Sequence, residues 1–490
     1  MLNHEIKIHD RKQFEIKLHY AFNRKRRKGA YLVETYFFVP NALGINKFTF
    51  HKKNFYDSVK NYIRFTTPEY SFEQLISEEE SPLQKIFNLL LKDDVNDSQI
   101  FLEKYEHEMK MFCAVFAAAV RKNTVAVIQS ENGRFASAAE NFSKLSAAVI
   151  NKFRELEIII KGNDDFYDIY QFGDEYISLV IEKHLFLVLE KYDKNISEKN
   201  DELKAELLSQ IRNEVNDRKE KKYNSIISED SSNEEMLFRF NTLKKYFSSV
   251  LSLETDVEKE GTFLEQILFS IAAGLAMLFA TAAAFWGQSV FGSFTMPFFV
   301  LLVVSYMFKD RIKELLREIL KKSVFKHLYD YKYKLFVDEK YKVGIIRESF
   351  DFIKTKKLDK DILGLRRKHR TQEFDNKFQK EKIILYRKKI ILKSKFLKKH
   401  GDDGLNAISD IFRFDVTRFL SKMDDPRKPL FALTKKGYKR ISGKRVYHVN
   451  LILKIMRNGE EQLKRFRLVL TKKGIDRIEP VFDGIIKEEN

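Results

Sequence analysis

Cysteine is almost absent from this chain: of 490 residues only Cys113 is one. That excludes an intrachain disulfide and any Cys-rich zinc module. Proline and glycine are also scarce, 7 and 18 residues, which excludes collagen-like and Pro-rich linker architectures. The usual catalytic signatures are missing. No H-E-x-x-H, G-x-G-x-x-G or G-x-S-x-G occurs, and GYKRISGKR at 437–445 departs from a phosphate loop in both glycine spacing and magnesium ligand. His400-Gly-Asp402-Asp403 could offer metal ligands on a loop, or be a plain polar turn. Cys113 falls within an apolar helical run and reads as a buried, inert thiol. The sequence therefore names no cofactor, no metal and no reaction.

Apolar residues make up 44% of the chain, enough for packed cores and too many for a chain disordered throughout. Charge is the second resource, and it is unevenly placed. Lys and Arg total 89 against 70 Asp and Glu, a net of +19. Residues 309–490 hold 50 basic and 26 acidic side chains, while residues 1–308 are slightly acidic. Such asymmetry points to a polyanionic surface or partner near the basic half. Heavy use of Lys, Asn, Phe, Tyr and Ile fits an AT-rich genome of bacterial type.

Between the halves lies Ile267–Trp286, ILFSIAAGLAMLFATAAAFW, with no charge in twenty residues. As a helix it spans about 30 Å, the hydrocarbon thickness of a bilayer. A second apolar run, PFFVLLVVSYMF at 297–308, reaches spanning length if extended back to Val290, with an outer turn over 287–293. Lys309, Arg311, Lys313, Arg317, Lys321, Lys322 and Lys326 follow it, and the turn carries no charge. The positive-inside rule then places both termini in the cytoplasm and the turn outside. MLNHEIKIHDRK has no apolar signal region. The first helix carries Ala272, Ala276, Ala280 and Ala284 at spacing four, a row that admits another helix closely. That helix is either the second one of the hairpin or one from another copy.

The expected fold class is α+β and membrane-anchored. A small N-terminal β-containing module (1–97) precedes a helical bundle (98–260). Then come the two-helix transmembrane hairpin (264–308), a basic exit helix and connector (309–362) and a basic C-terminal α+β domain (363–490). FEIKLHYAF and AYLVETYFFVP read as paired strands with a basic tip, Arg24 to Lys28. Pro82 after SEEES suits a helix start. The helix over 197–223 is charged almost all round, so it should be exposed or in a coiled contact.

Candidate anion-binding residues are Arg366, Arg367, Lys368 and Arg370 in one basic cluster, and Lys388 and Lys389 in another. LTKKGYKRI at 433–441 and LTKKGIDRI at 470–478 match at seven of nine positions. They are one strand–turn–strand shape used twice, coincidence, or a duplicated turn presenting Lys435, Lys436, Lys472 and Lys473 to phosphate.

The expected function is a two-pass inner-membrane scaffold, sensor or tether. Its basic cytoplasmic domain would hold an anionic partner, lipid headgroups or nucleic acid, with homo-oligomers and an unknown protein partner also open. Two other readings remain: a membrane effector whose hairpins associate and permeabilise the bilayer, and a membrane-tethered enzyme with an unrecognised site.

Overall fold

The computed structural model describes residues 3–21, 28–91, 98–160, 164–195, 201–324, 328–337, 341–367, 381–393, 405, 407–435, 437–457 and 459–488. It is α+β, with antiparallel sheets. In chain order its elements are β1 (Asn3–Ile8), β2 (Gln13–Ala21), β3 (Gly29–Pro40), α1 (Lys52–Ser58), β4 (Val59–Phe65), α2 (Phe72–Ser77), α3 (Pro82–Leu90), α4 (Ser98–Gln129), α5 (Asn132–Arg154), α6 (Leu156–Ile160), α7 (Asp164–Asn195), α8 (Asp201–Glu220) and α9 (Glu234–Ser248). There follow β5 (Glu254–Lys259), α10 (Thr262–Phe291), α11 (Met296–Val324), β6 (Tyr331–Val337), β7 (Tyr341–Ile353), α12 (Lys360–Arg367), β8 (Glu381–Leu392), β9 (Ala407–Asp415), β10 (Arg427–Thr434), β11 (Gly437–Lys444), β12 (Tyr447–Arg457), β13 (Glu460–Thr471) and β14 (Gly474–Glu488).

Two compact units result, and neither is the module expected at the N-terminus. Met1–Tyr62 joins Leu253–Gly401 and Asp410–Asn490 in a β-rich unit, while Ile63–Ser252 with Asp402–Ser409 forms a helical one. The cause is long-range pairing: β3 lies between β8 and β12, in register Phe37↔Ile384 on one side and Phe37↔Leu451 on the other. An N-terminal strand is thereby central to a sheet built otherwise from the C-terminal half. β2 and β3 are both strands, as their aromatic and β-branched content dictates, but they do not pair with each other. β2 sits in a four-stranded sheet of order β1-β2-β9-β4, and β3 in an eight-stranded sheet of order β14-β13-β12-β3-β8-β7-β6-β5. The basic tip expected between them, from Arg24, lies largely outside the described residues.

The core of the β-rich unit lies between the sheets. Alternation on β3 sends Tyr31, Val33, Phe37 and Val39 to one face, all at most 5% exposed. There Phe37 meets Phe414 of β9 at 5.2 Å between ring centres, and Phe55 of α1 meets Phe350 of β7 at 4.6 Å and Tyr386 of β8 at 5.2 Å. Each fully buried Phe of this set contributes roughly 1.5–3 kcal/mol by leaving water. The opposite face of the eight-stranded sheet, through Tyr36, Phe38, Ile383, Leu385 and Ile452, is covered by Ile362 and Leu365 of α12. β8 is therefore buried on both faces, which explains its run IILY.

The helical unit has an aromatic core in which Phe112, Phe153 and Tyr170 stack in series, at 5.0 and 5.2 Å. Pro82 opens α3 as expected, with the Ser81 hydroxyl accepting from the Gln84 N–H at 3.2 Å. α8, despite its charge, buries one stripe of Leu203, Leu207, Ile211, Glu214 and Arg218. The charges in that stripe are paired. Arg154 of α5 reaches Asp174 and Glu214, each at 2.9 Å, and Arg218 pairs with Glu182 and donates to Ser178. Burial alone would raise the Asp174 carboxyl, but Arg154 and Lys221 outweigh it and hold it below its ordinary value.

Among the described residues two helices are long and apolar enough to cross a membrane. Over the most apolar stretch of Gln99–Gln129, 56% is buried inside the protein, the behaviour of a core helix; for Thr262–Phe291 the figure is 17%.

Candidate membrane and anionic-partner surfaces

α10 and α11 form an antiparallel hairpin that leaves the β-rich unit at a sheet edge. β5 runs into α10, β6 follows α11, and the two strands pair from Lys259↔Tyr331 to Glu254↔Phe336. The Glu260 N–H donates to the Asp330 carbonyl, and Arg347 holds the Glu260 carboxylate at 3.1 Å. Both ends of the hairpin are thus fastened to one ladder.

The alanine row is used within the hairpin. Ala272, Ala276 and Ala280 are buried, with Gly287 continuing the row, while Ala284 is half-buried. A Cβ on Gly287 would run into the Leu301 side chain of α11, so the two helices approach closely there. The remaining faces of α10 stay uncovered: Leu278 is 67% exposed, Phe285 69% and Trp286 59%. An apolar surface of this extent is rare on a protein bathed in water alone.

The turn falls at Gly292–Thr295, later than the sequence suggests, because α10 continues through Gly287 to Phe291. Phe294 stands at the tip, wholly exposed. The delay shortens the apolar part of α11 to Met296–Phe308, about 20 Å of helix. Two contacts fix the alignment: Gly287 opposes Leu301, and Arg317 lies 4.6 Å over the ring of Phe269. Halfway between them Lys309 comes level with Leu278, so the charged half of α11 runs beside the apolar first half of α10. α11 continues unbroken through Lys309 to Val324, the start of the exit helix expected over 309–362, but the rest of that range holds strands β6 and β7 of the eight-stranded sheet.

The residues singled out for anion binding scatter. Arg366, at the end of α12, is half-buried and held by Glu381 at 2.6 Å, while Arg367 beside it is exposed. Lys368 and Arg370 lie outside the described residues, as do Lys436 and the His400–Asp403 loop. Lys389 is half-buried on β8. Lys388 is no surface cation: it points into the sandwich, 2% exposed, with Nζ 2.5 Å from Asp410 Oδ1 and 4.0 Å from Glu348 Oε1. Parity on β8 puts it on the face of Ile384, Tyr386 and Ile390.

Both LTKKG segments lie where two strands of a hairpin meet. Thr434 pairs with Gly437 and Thr471 with Gly474, and the glycines share φ near +138° and +136°. A residue with a Cβ is strained at either glycine. Lys472 pairs with Asp425 at 3.2 Å; Lys435 and Lys473 are exposed.

Around Lys388 lies a cluster that composition hid. Tyr31 donates to Asp410, Asn61 donates to Glu348 at 2.7 Å, and Asn61 also reaches the Tyr386 hydroxyl at 3.0 Å. Burial pushes Glu348 up to about 7, against the pull of Lys388. Glu348, Lys388, Asp410, Tyr31 and Tyr386 are all at most 2% exposed. The cluster ties β8 and β7 to β9 through the interior. Among the described residues no group of three His, Cys, Asp or Glu side chains is placed to hold a metal.

Comparison with protein-family models, curated proteins and solved structures found no match. The functional reading therefore rests on these surfaces alone.

Proposed function

We propose that this chain is a membrane-anchored scaffold or tether. The α10–α11 hairpin enters the inner membrane, both termini stay in the cytoplasm, and the basic C-terminal half holds an anionic partner, lipid headgroups or nucleic acid. One observation carries the anchoring: α10 buries only its small-residue row and leaves its large apolar side chains uncovered. The basic half of α11 follows directly, and Leu315 and Ile319 on it are exposed among lysines and arginines. That pattern suits a helix resting on anionic headgroups. The alanine row that motivates the effector reading lies against the chain's own α11.

The charge step at Lys309 favours a second topology. α11 is uncharged for only about 20 Å from the turn, less than a hydrocarbon core of about 30 Å, although α10 has no charge between Gln266 and Phe291. In a two-pass hairpin Lys309 and Arg311 snorkel to the inner interface and the Phe294 tip reaches the outer one. In a re-entrant hairpin the tip stops within the bilayer. Carbonate washing of membranes tests the anchoring, and a chain released into the wash overturns it. Ser293→Cys, probed with a membrane-impermeant thiol reagent, separates the topologies. Labelling from outside shows two passes; labelling only after detergent shows re-entry.

A further inference from the structure

Among the described residues the β10–β11 hairpin stands apart from both larger sheets, paired only with itself. A lone two-stranded hairpin is marginal in water, and no described residue covers either face of this one to any extent, since nearly every side chain on it is exposed. By register, Leu433 opposes Tyr438 and Phe431 opposes Arg440 on one face, while Leu430 opposes Ile441 and Ala432 opposes Lys439 on the other. Leu433 is 93% exposed, Tyr438 74% and Phe431 70%. Between 427 and 445 there are eight basic residues and not one acid. The acids that meet this hairpin sit at its base, where Asp424 holds Arg445 at 2.6 Å and Asp476 pairs with Lys444. Turn chemistry does not require this exposure. The second LTKKG copy pairs its Thr and Gly in the same register with Leu470 wholly buried and Thr471 nearly so.

We propose that the β10–β11 hairpin is a second membrane-docking element, whose tip inserts Phe431, Leu433 and Tyr438 into the interface of an anionic bilayer while Lys435, Lys439 and Arg440 meet the headgroups. The proposal rests on the anionic-partner reading above and narrows it to lipid. Charge selects a polyanion; the apolar side chains select which one. Leu433 on the inserting face is aliphatic, as are Leu430 and Ile441 on the other face, which favours the acyl boundary. Single-stranded nucleic acid is held chiefly by open aromatic faces. Here the one aromatic pair, Phe431 and Tyr438, is turned edge to face on itself at 6.0 Å.

The test uses the full-length chain. Cys113 is wholly buried, so Leu433→Cys gives a single accessible thiol for an environment-sensitive fluorophore. Reconstituted into phosphatidylcholine vesicles with phosphatidylglycerol, the label should shift to the blue and be quenched by nitroxide lipids; without phosphatidylglycerol it should do neither. Adding Lys435→Glu, Lys439→Glu and Arg440→Glu should weaken insertion of the tip about a hundredfold, with the chain still resistant to carbonate. No shift on anionic vesicles, or an equal shift on neutral ones, overturns the proposal. So does a larger response to a single-stranded oligonucleotide than to anionic lipid. A chain kept in the membrane without a tip signal refutes this element alone. Should carbonate release the chain, the labelled protein added to preformed vesicles still reports on the tip.

Discussion

Lys388 and Asp410 face each other across the interior of the sandwich, Nζ to Oδ1 at 2.5 Å, each 2% exposed. They link β8 of one sheet to β9 of the other. Removing one partner leaves the other charged, buried and without its counterion. Lys388→Met should therefore destabilise the chain by about 3–5 kcal/mol. Lys388→Met with Asp410→Asn should recover most of that loss, because the amide needs no counterion and Tyr31 can still donate to its oxygen. Denaturant unfolding of both variants checks this. A double variant as unstable as the single one would show that the pair is not the unit that matters.

Glu348, 4.0 Å from Lys388, gives the β-rich unit a pH dependence of defined sign. Its folded-state value, about 7, lies above the ordinary 4.5. Between those values the folded chain keeps a proton that the unfolded chain releases. This residue's contribution to stability thus falls as pH rises through the window. Glu348→Gln abolishes the titration, and Asn61 can still donate to the amide oxygen. The variant should gain stability relative to the parent on going from about pH 5 to about pH 8, by on the order of 2–3 kcal/mol. Unfolding at both pH values measures the difference. A difference that did not change with pH would refute it.

How much of this was readable in the residues varies with the range of the interaction. α10 was legible because an uncharged twenty-residue run admits few other states. β2, β3, β12 and β13 were legible by alternation. Period-two patterning does not say which strands pair, however, so the placement of β3 between β8 and β12 was invisible, and with it the union of the two chain ends in one unit. Lys388 was hidden inside RKKIIL, where three adjacent cations look like one basic patch. Its parity with Ile384, Tyr386 and Ile390 was the available signal, since a strand turns alternate residues to opposite faces. The turn at Gly292 was misplaced because Gly287 looks like a breaker. In the hairpin its missing side chain serves close packing against Leu301 instead.

Ala276, 1% exposed against α11, tests whether the small-residue row serves the chain itself or a second copy. Leucine there adds three carbons where the helices touch. If the row packs within the hairpin, Ala276→Leu should destabilise the detergent-solubilised chain by about 1–3 kcal/mol through overpacking, and its particle size should stay the same. Thermal melting and light scattering on one sample read the two quantities separately. The oligomerising-effector account requires the reverse: smaller particles, with little change in melting. Gly287→Ala should act in the same direction as Ala276→Leu, since its new methyl meets Leu301. Agreement between two positions some sixteen ångströms apart along α10, eleven residues at about 1.5 Å each, would make the whole row an intrachain seam.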